Sequence, residues 1–288
     1  MNYLNQLSWS DARDLLRTWR DNNDRKSEEV LHLWKSVLEY NLNKLGGEKF
    51  SVLEQVCLAA LDCYHIPTVD YCIKLLSNEF PSSLRVKKFY AMRLEAQECY
   101  DDALKVLDAL IKKDETNNAP RKRKIAILKA QGRSVEAIKE LVDYLKIFMA
   151  DTEGWQELSD LYIAEQDFNK AAFCIEELIL HNPHNHLLHQ RYADIRYTQG
   201  GYDNLELARA YYCQALKLNP NNLRALYGVY LTSSNIASSP KCTANKKKES
   251  LKLTEWALSE IKNKYSTVKD KYTDSNLEDR LSITKFFI

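Results

Sequence analysis

The sequence predicts an all-α protein built from tandem helical repeats, and three observations support this prediction. Of its 288 residues, 45% are hydrophobic and 28% are charged, so the chain can bury a core and disorder is disfavoured. Only 7 residues are Gly and 6 are Pro, which favours helices with short connections over a turn-rich β fold. Small residues also recur at intervals of 34 positions, which is the mark of an internal repeat.

The clearest repeat motif lies in the middle of the chain. The segment Trp155–Tyr162 has the W-x2-L-small-x2-Y spacing of the first helix of a tetratricopeptide repeat. Ala171 follows nine residues later, and Pro183 closes the unit at the position where this repeat usually carries Pro. The motif therefore predicts an antiparallel pair of helices.

Moving along the chain by 34 residues extends this motif in both directions. The small residue of the second helix is Ala103, Ala137, Ala171 and Ala208, the last displaced by 37 because its turn is longer. The bulky residue four positions later is Leu107, Leu141, Ile175 and Tyr212. The small residue of the first helix is Ala91, Ser159 and Ala193, with Ile125 as the exception. Where two helices cross, a small residue lets the backbones approach and a large one fills the adjacent hole. The pattern predicts a right-handed superhelical solenoid.

We divide the chain into four regions. Residues 1–49 form an N-terminal helical cap, with a capping box at Ser8–Asp11 and a second helix that Ser27 caps and that stops at Gly46–Gly47. Residues 50–222 hold five repeats, which are 50–83, 84–117, 118–151, 152–185 and 186–222. Residues 223–264 form an irregular helical pair, in which residues 238–248 are a polar loop. Residues 265–288 are a charged tail with a short helix at about 277–283.

The first helices of such repeats line the inner surface of the solenoid, and two of them begin with basic residues. Lys88 and Lys122 are 34 positions apart and should stack as neighbours on this wall, flanked by Arg85 and Arg121. A basic wall suits an acidic partner segment or a chain terminus. The alternative is a solvated charged face with no partner. Lys246–Lys248 is interpreted as a solvated loop that could also touch anionic lipid.

Other kinds of function find little support. We find no phosphate-binding glycine loop, no G-x-S-x-G and no H-E-x-x-H, so we expect neither catalysis nor a cofactor. The histidines between His181 and His189 could bind a metal, but an inter-repeat turn is expected at that point and no Cys or Asp completes a tetrahedral set. A net charge of +1 gives no field for nucleic acid. Seven Cys without a Cys-x-x-Cys pair disfavour a zinc site or a disulfide framework, and thiols such as Cys57, Cys174 and Cys213 are interpreted as core residues in a reducing compartment.

Membrane insertion is not expected either. The longest apolar run is Val56–Leu61, whereas a spanning helix needs about 20 residues. The N-terminus has neither the basic region nor the apolar region of a signal peptide. Any contact with a membrane should therefore be indirect.

Several segments resemble one family, the tetratricopeptide subunit (subunit 2) of the endoplasmic reticulum membrane protein complex. They include Glu54–Asp62, Tyr100–Leu104, Arg121–Ile127, Asn182–Leu187 and Gln214–Asn219. Asn182–Leu187 is informative because it lies in a turn, where the repeat consensus dictates little. The resemblance implies a non-enzymatic, peripheral subunit on the cytoplasmic side of the endoplasmic reticulum membrane. It also implies that this subunit cradles cytosolic segments of membrane-embedded subunits, docks a second soluble subunit and supports insertion of tail-anchored and multi-pass proteins.

The competing interpretation is a co-chaperone adaptor that binds the C-terminus of a chaperone. That activity needs a carboxylate clamp in which Lys and Asn stand four apart on one first helix. Here Lys88 is followed four positions later by Met92, and Lys122 by Ala126. The clamp is absent, which favours the membrane-complex subunit, and a pull-down distinguishes the two.

Overall fold

The computed structural model describes residues 7–269, and within this range it contains α-helices and no strand. The α-helices are α1 (Trp9–Asp21), α2 (Ser27–Leu33), α3 (Lys49–Asp62), α4 (Ile66–Glu79), α5 (Leu84–Ala96), α6 (Tyr100–Lys113), α7 (Asn118–Ala130), α8 (Ser134–Ile147), α9 (Thr152–Ala164), α10 (Phe168–His181), α11 (His186–Gln199), α12 (Tyr202–Leu218), α13 (Leu223–Ser238) and α14 (Ala244–Lys269). This confirms the predicted all-α fold. The chain divides after Arg133 into two compact units, here called the first and second units.

The turn after each first helix repeats at intervals of 34 residues. The backbone φ is positive in each turn, at Tyr64 (54°), Glu98 (58°), Gly132 (71°), Gln166 (60°) and Gly200 (75°). After the first four of these residues, the next backbone N–H donates to the carbonyl five residues earlier, over 2.7–2.9 Å. This hydrogen bond is the one that closes a helix through a left-handed residue. The same turn geometry thus ends α3, α5, α7 and α9.

The start of each following first helix is also periodic. The N-cap residues are Ser83, Asn117, Asp151 and Asn185, again 34 apart, and then Asn222. Each cap side chain accepts a hydrogen bond from a backbone N–H in the first turn, as short polar residues do at this position. The caps stabilise otherwise unpaired N–H groups.

The small residues of the predicted repeat occupy the helix crossings. Ala103, Ala137, Ala171 and Ala208 are all 0% exposed. The large residues four positions later are at most 3% exposed. At the crossing of α9 and α10, the Ser159 hydroxyl donates to the Ala171 carbonyl over 3.1 Å, so this small polar residue is satisfied inside the core.

The N-terminal region differs in part from the expectation. Ser8 caps α1 as predicted, because its Oγ accepts from the Asp11 N–H. The predicted cap at Ser27 is wrong: Lys26 occupies the N-cap position, and the Ser27 hydroxyl instead donates to Asp62 on α3 over 2.6 Å. The helix does not run on to Gly46–Gly47 either. It becomes π-helical at Trp34–Leu38 and continues as 3₁₀ turns over Glu39–Glu48 that are interrupted at Asn41 and at Gly46. The φ of Gly46 is 53°, which only Gly adopts easily.

The C-terminal loop is shorter than predicted. Residues 239–243 join α13 to α14, so Lys246–Lys248 lie in a helix and not in a loop. Lysine is a good helix former, and the Lys246 ammonium pairs with Glu206 of α12 over 2.6 Å. The short helix expected at 277–283 lies outside the described residues.

Candidate protein-binding surface

The first unit contains a cavity of about 650 Å³ on the face formed by α3, α5 and α7, here called the Lys88 cavity. It is lined by Leu58, Lys88, Met92, Glu95, Tyr100, Ala119, Lys122, Arg123, Ala126, Ile127 and Ala130. The lining therefore combines an apolar floor with four charged side chains.

Helical periodicity places these side chains on two facing stripes. On α5, Lys88, Met92 and Glu95 are spaced i, i+4 and i+7, which is one face of a helix. On α7, Ala119, Ala126 and Ala130 share a face in the same way, with Lys122 and Arg123 between them. Because alanine side chains are small, the stripe on α7 leaves open space in front of the longer side chains of α5.

The carboxylates near the cavity already have partners. Arg123 pairs with Glu95, whose side chain is only 15% exposed. Burial raises the pKa of the Glu95 carboxyl, while the Arg123 charge and hydrogen bond lower it. Arg85 pairs with Glu54. Each of these two carboxylates is therefore already paired with an arginine of a neighbouring helix.

Lys88 is in a different situation. Among residues 7–269 it makes no ion pair, although it is half-buried and its Nζ lies 5.6 Å from the ring centroid of Phe89. Its burial, together with the positive charges of Arg85 and Arg123, lowers its pKa, and Glu54 opposes this effect. The cavity thus holds an ammonium group in a partly dry, positively charged setting.

The structure brings together two of the four residues that the sequence analysis selected. Lys88 and Lys122 line the same cavity, and Lys122 also has an interaction of its own within the chain. Arg85 and Arg121 do not line it. Arg85 is exposed and held by Glu54, and the Arg121 Nε is buried without a hydrogen-bond partner.

The sequence analysis missed most of the cavity lining, including Glu95 and Arg123. The signal was available for Met92 and Glu95, because they lie four and seven residues after Lys88 on one helix.

A second cavity lies in the second unit, between α8, α9 and α10, and it is almost entirely apolar. It has a volume of about 360 Å³ and is lined by Val142, Leu145, Lys146, Met149, Trp155, Leu158, Tyr162, Lys170, Phe173 and Cys174. The Trp155 Nε1 donates to the Met149 carbonyl over 2.8 Å, so the polar atom of the ring is satisfied. Met149 and Phe173 are more than half exposed. We call this the Trp155 cleft.

The histidines between His181 and His189 take part in the turn and its neighbours. His186 lies 3.0 Å from both Asn219 and Asn222 through its two ring nitrogens, and the His189 Nε2 lies 2.8 Å from the Pro183 carbonyl oxygen. Within residues 7–269, no group of three or more His, Cys, Asp or Glu side chains could hold a metal ion. Nor does any helix in that range combine the length and apolarity that crossing a membrane requires.

Comparison with known proteins bears on what such a surface serves. The model of the EMC2 TPR-like repeat domain matches residues 66–204, and a tetratricopeptide repeat model matches residues 203–222. A Xenopus tropicalis protein named ER membrane protein complex subunit 2 is 49% identical over 94% of this chain and 92% of its own length. The chain belongs to the ER membrane protein complex subunit 2 family. It is thus similar to subunits of that complex over nearly its whole length.

More distant relatives are also similar to most of this chain. A Dictyostelium discoideum subunit 2 is 32% identical over 98% of this chain and 88% of its own length. The TPR repeat protein oca3 of Schizosaccharomyces pombe is 28% identical over 88% of this chain and 84% of its own length. Among solved structures, the C-terminal part of a TPR repeat-containing protein from Cytophaga hutchinsonii has a TM-score of 0.59 at 15% identity, covering 87% of this chain and 93% of that one. This last similarity shows the tetratricopeptide fold alone.

Proposed function

We propose that this protein is a non-enzymatic scaffold subunit of the ER membrane protein complex. In this proposal it supports the insertion of tail-anchored and multi-pass proteins by cradling cytosolic segments of the other subunits. The observation that carries the proposal is the 49% identity to a named subunit 2 along 94% of the chain. The partners are membrane-embedded and soluble subunits of that complex, and contact with the membrane runs through them on its cytoplasmic side.

The cradle in this proposal is the Lys88 cavity. Tandem helix pairs expose a continuous face that suits an extended or helical segment. Lys88 and Lys122 contribute positive charge to this face, so acidic segments are the expected occupants. The alternative function, a co-chaperone adaptor, needs a Lys followed four residues later by an Asn on one first helix. The positions four residues after these two lysines hold Met92 and Ala126, which line the cavity with apolar atoms.

The test is co-purification of the tagged protein from solubilised endoplasmic reticulum membranes, followed by mass spectrometry. The wild-type chain should bring down the other subunits of the complex, and alkaline carbonate should strip it from the membranes. The variant Lys88→Glu with Lys122→Glu should recover less of its partners, more clearly at low salt, because charge repulsion replaces attraction. Recovery of a cytosolic chaperone in place of the membrane subunits would contradict the scaffold function and favour the co-chaperone adaptor.

The matched control for this variant is Lys87→Glu with Lys113→Glu, which changes the charge equally outside the cavity. Circular dichroism should show that both double variants keep their helices. Full recovery of every partner by the cavity variant would contradict the basic-groove part of the proposal and leave the family assignment intact.

A further inference from the structure

We propose that the Lys88 cavity is a binding subsite for one carboxylate that is accompanied by a large apolar side chain. The inference rests on the proposed scaffold function and specifies which feature of a partner segment the scaffold recognises. The carboxylate would be the side chain of an Asp or Glu. The apolar side chain would come from a neighbouring position of the same segment.

The charge distribution selects a carboxylate. Glu95 lines the cavity and Glu54 acts electrostatically on Lys88, and these two carboxylates already pair with Arg123 and Arg85. Lys88 remains half-buried without an ion pair in the described part of the chain. A cation that has lost part of its hydration without gaining a counter-charge is destabilising in the free protein. An incoming carboxylate supplies that counter-charge and forms a strong charge-assisted hydrogen bond.

The rest of the lining selects an apolar neighbour. Met92 lies one helical turn beyond Lys88, and Leu58, which is 43% exposed, faces the same cavity from α3. Ile127, Ala126 and Ala130 complete the apolar wall from α7. An apolar side chain placed against these residues would remove exposed hydrocarbon from water on both sides. An acidic segment without an apolar side chain would leave these apolar residues exposed to water.

The geometry also separates this subsite from general attraction to a basic surface. An exposed pair is weak and is screened by salt, whereas a partly buried pair is screened much less. Binding at the subsite should therefore depend on one lysine, on one carboxylate and on the apolar residue beside it. Lys87, the adjacent residue on α5, lies outside the cavity and provides a matched control.

The probes are fluorescein-labelled overlapping peptides that cover the cytosol-facing segments of the other subunits, titrated against the full-length protein by fluorescence polarisation. Peptides that bind should contain a carboxylate next to a large apolar residue. Copies of these peptides with Gln or Asn in place of the carboxylate, or with Ala in place of the apolar residue, should bind at least about tenfold more weakly. Lys88→Gln should cause a loss of the same order, whereas Lys88→Arg and Lys87→Gln should retain most of the binding.

Lys88→Met provides a readout that separates binding from structure. The substitution removes a desolvated cation, so the melting temperature of the variant should equal or exceed that of the wild type. Its peptide binding should be lost. The subsite is wrong if no segment binds, if the amide copies bind as well as the acids, or if Lys88→Gln binds as well as Lys87→Gln. These outcomes leave the proposed scaffold function standing if the wild-type chain still co-purifies with the complex, and only failure of that co-purification contradicts the function itself.

Discussion

The two units share the same helix pairs and turns, but different contacts join their helices. In the first unit, ion pairs between arginines and carboxylates link neighbouring elements around the hydrophobic core, and most of these pairs lie at the surface. These pairs are Arg17–Glu48, Arg25–Asp62, Arg85–Glu54, Arg93–Asp70 and Arg123–Glu95. In the second unit, buried tyrosines donate hydrogen bonds to carboxylates as well. These pairs are Tyr144–Asp151, Tyr192–Glu176 and Tyr212–Asp194.

The difference lies in the hydrogen bonds from buried tyrosines that the second unit adds. Burial, together with the hydrogen bond to Glu176, raises the pKa of the Tyr192 hydroxyl to about 12, and similar causes raise the pKa of Tyr212 strongly. These hydroxyls therefore stay protonated and donate at neutral pH. Exposed ion pairs contribute little to folding, whereas buried hydrogen bonds to charged groups contribute more. The second unit therefore adds buried hydrogen bonds to surface ion pairs of the kind that the first unit also has, such as Arg191–Asp160 and Lys246–Glu206.

The largest effect should come from Gly228, which lies on α13 against the ring of Tyr212. A Cβ at this position would stand 2.5 Å from two ring atoms, and the ring is fixed by the 2.6 Å hydrogen bond from its hydroxyl to Asp194. Gly228→Ala should therefore lower the free energy of unfolding by about 1–3 kcal/mol in urea denaturation. Gly47→Ala is the control, because nothing lies within 4 Å of its Cβ position. A higher free energy of unfolding for Gly228→Ala would show that the Tyr212 ring can move aside, and it would contradict tight packing of this ring against α13.

The next largest effect on the free energy of unfolding should come from comparing a tyrosine–carboxylate hydrogen bond with an arginine–carboxylate ion pair. Tyr212→Phe removes a hydrogen bond to the partly buried carboxylate of Asp194, which also accepts from the Arg224 Nε over 2.9 Å, so the free energy of unfolding should fall by about 1–2 kcal/mol. Arg93→Gln breaks the pair with Asp70 on the first unit and should cost less than about 1 kcal/mol. Raising the salt concentration should reduce the Arg93 effect and leave the Tyr212 effect. Equal effects at both salt concentrations would remove the distinction between the units.

The sequence predicted what burial and periodicity dictate. The alanine ladder and the large residue four positions later follow from close helix crossing, and both are buried as expected. The second-helix prolines Pro81, Pro183 and Pro220 each lie two residues after the last helical residue. These features depend on side-chain size or on the missing N–H of proline, which the sequence states directly.

The missed features depend on conformation or on the pairing of charges across helices. Nothing in Tyr64, Glu98 or Gln166 marks a positive φ, since glycine is the usual residue there. The partnership of Arg123 with Glu95 depends on which helices are neighbours, and it leaves Lys88 without Glu95 as an ion-pair partner. The N-caps could have been found, because Ser83, Asn117, Asp151 and Asn185 lie 34 positions apart and are all capping residues.

The smallest effects should come from the turns, which are the part that both units share. The left-handed backbone conformation costs a residue other than glycine about 1 kcal/mol of folding free energy. Glycine adopts it without strain but loses more conformational entropy on folding, so its net cost is slightly smaller. Glu98→Gly in the first unit and Gln166→Gly in the second should each stabilise the protein by roughly 0.5 kcal/mol. Gly132→Ala, the reverse change at the equivalent position, should destabilise it by roughly 0.5 kcal/mol.

The position-matched control is Ala164→Gly, two residues before Gln166, where φ is helical and glycine should cost about 0.5–1 kcal/mol. The same sign and size for Glu98→Gly and Gln166→Gly in chemical denaturation would show that the turns are equivalent, so that the units differ in their side-chain contacts alone. Opposite signs would mean that the left-handed residue has a different role in each unit, and that the comparison between them extends to the backbone.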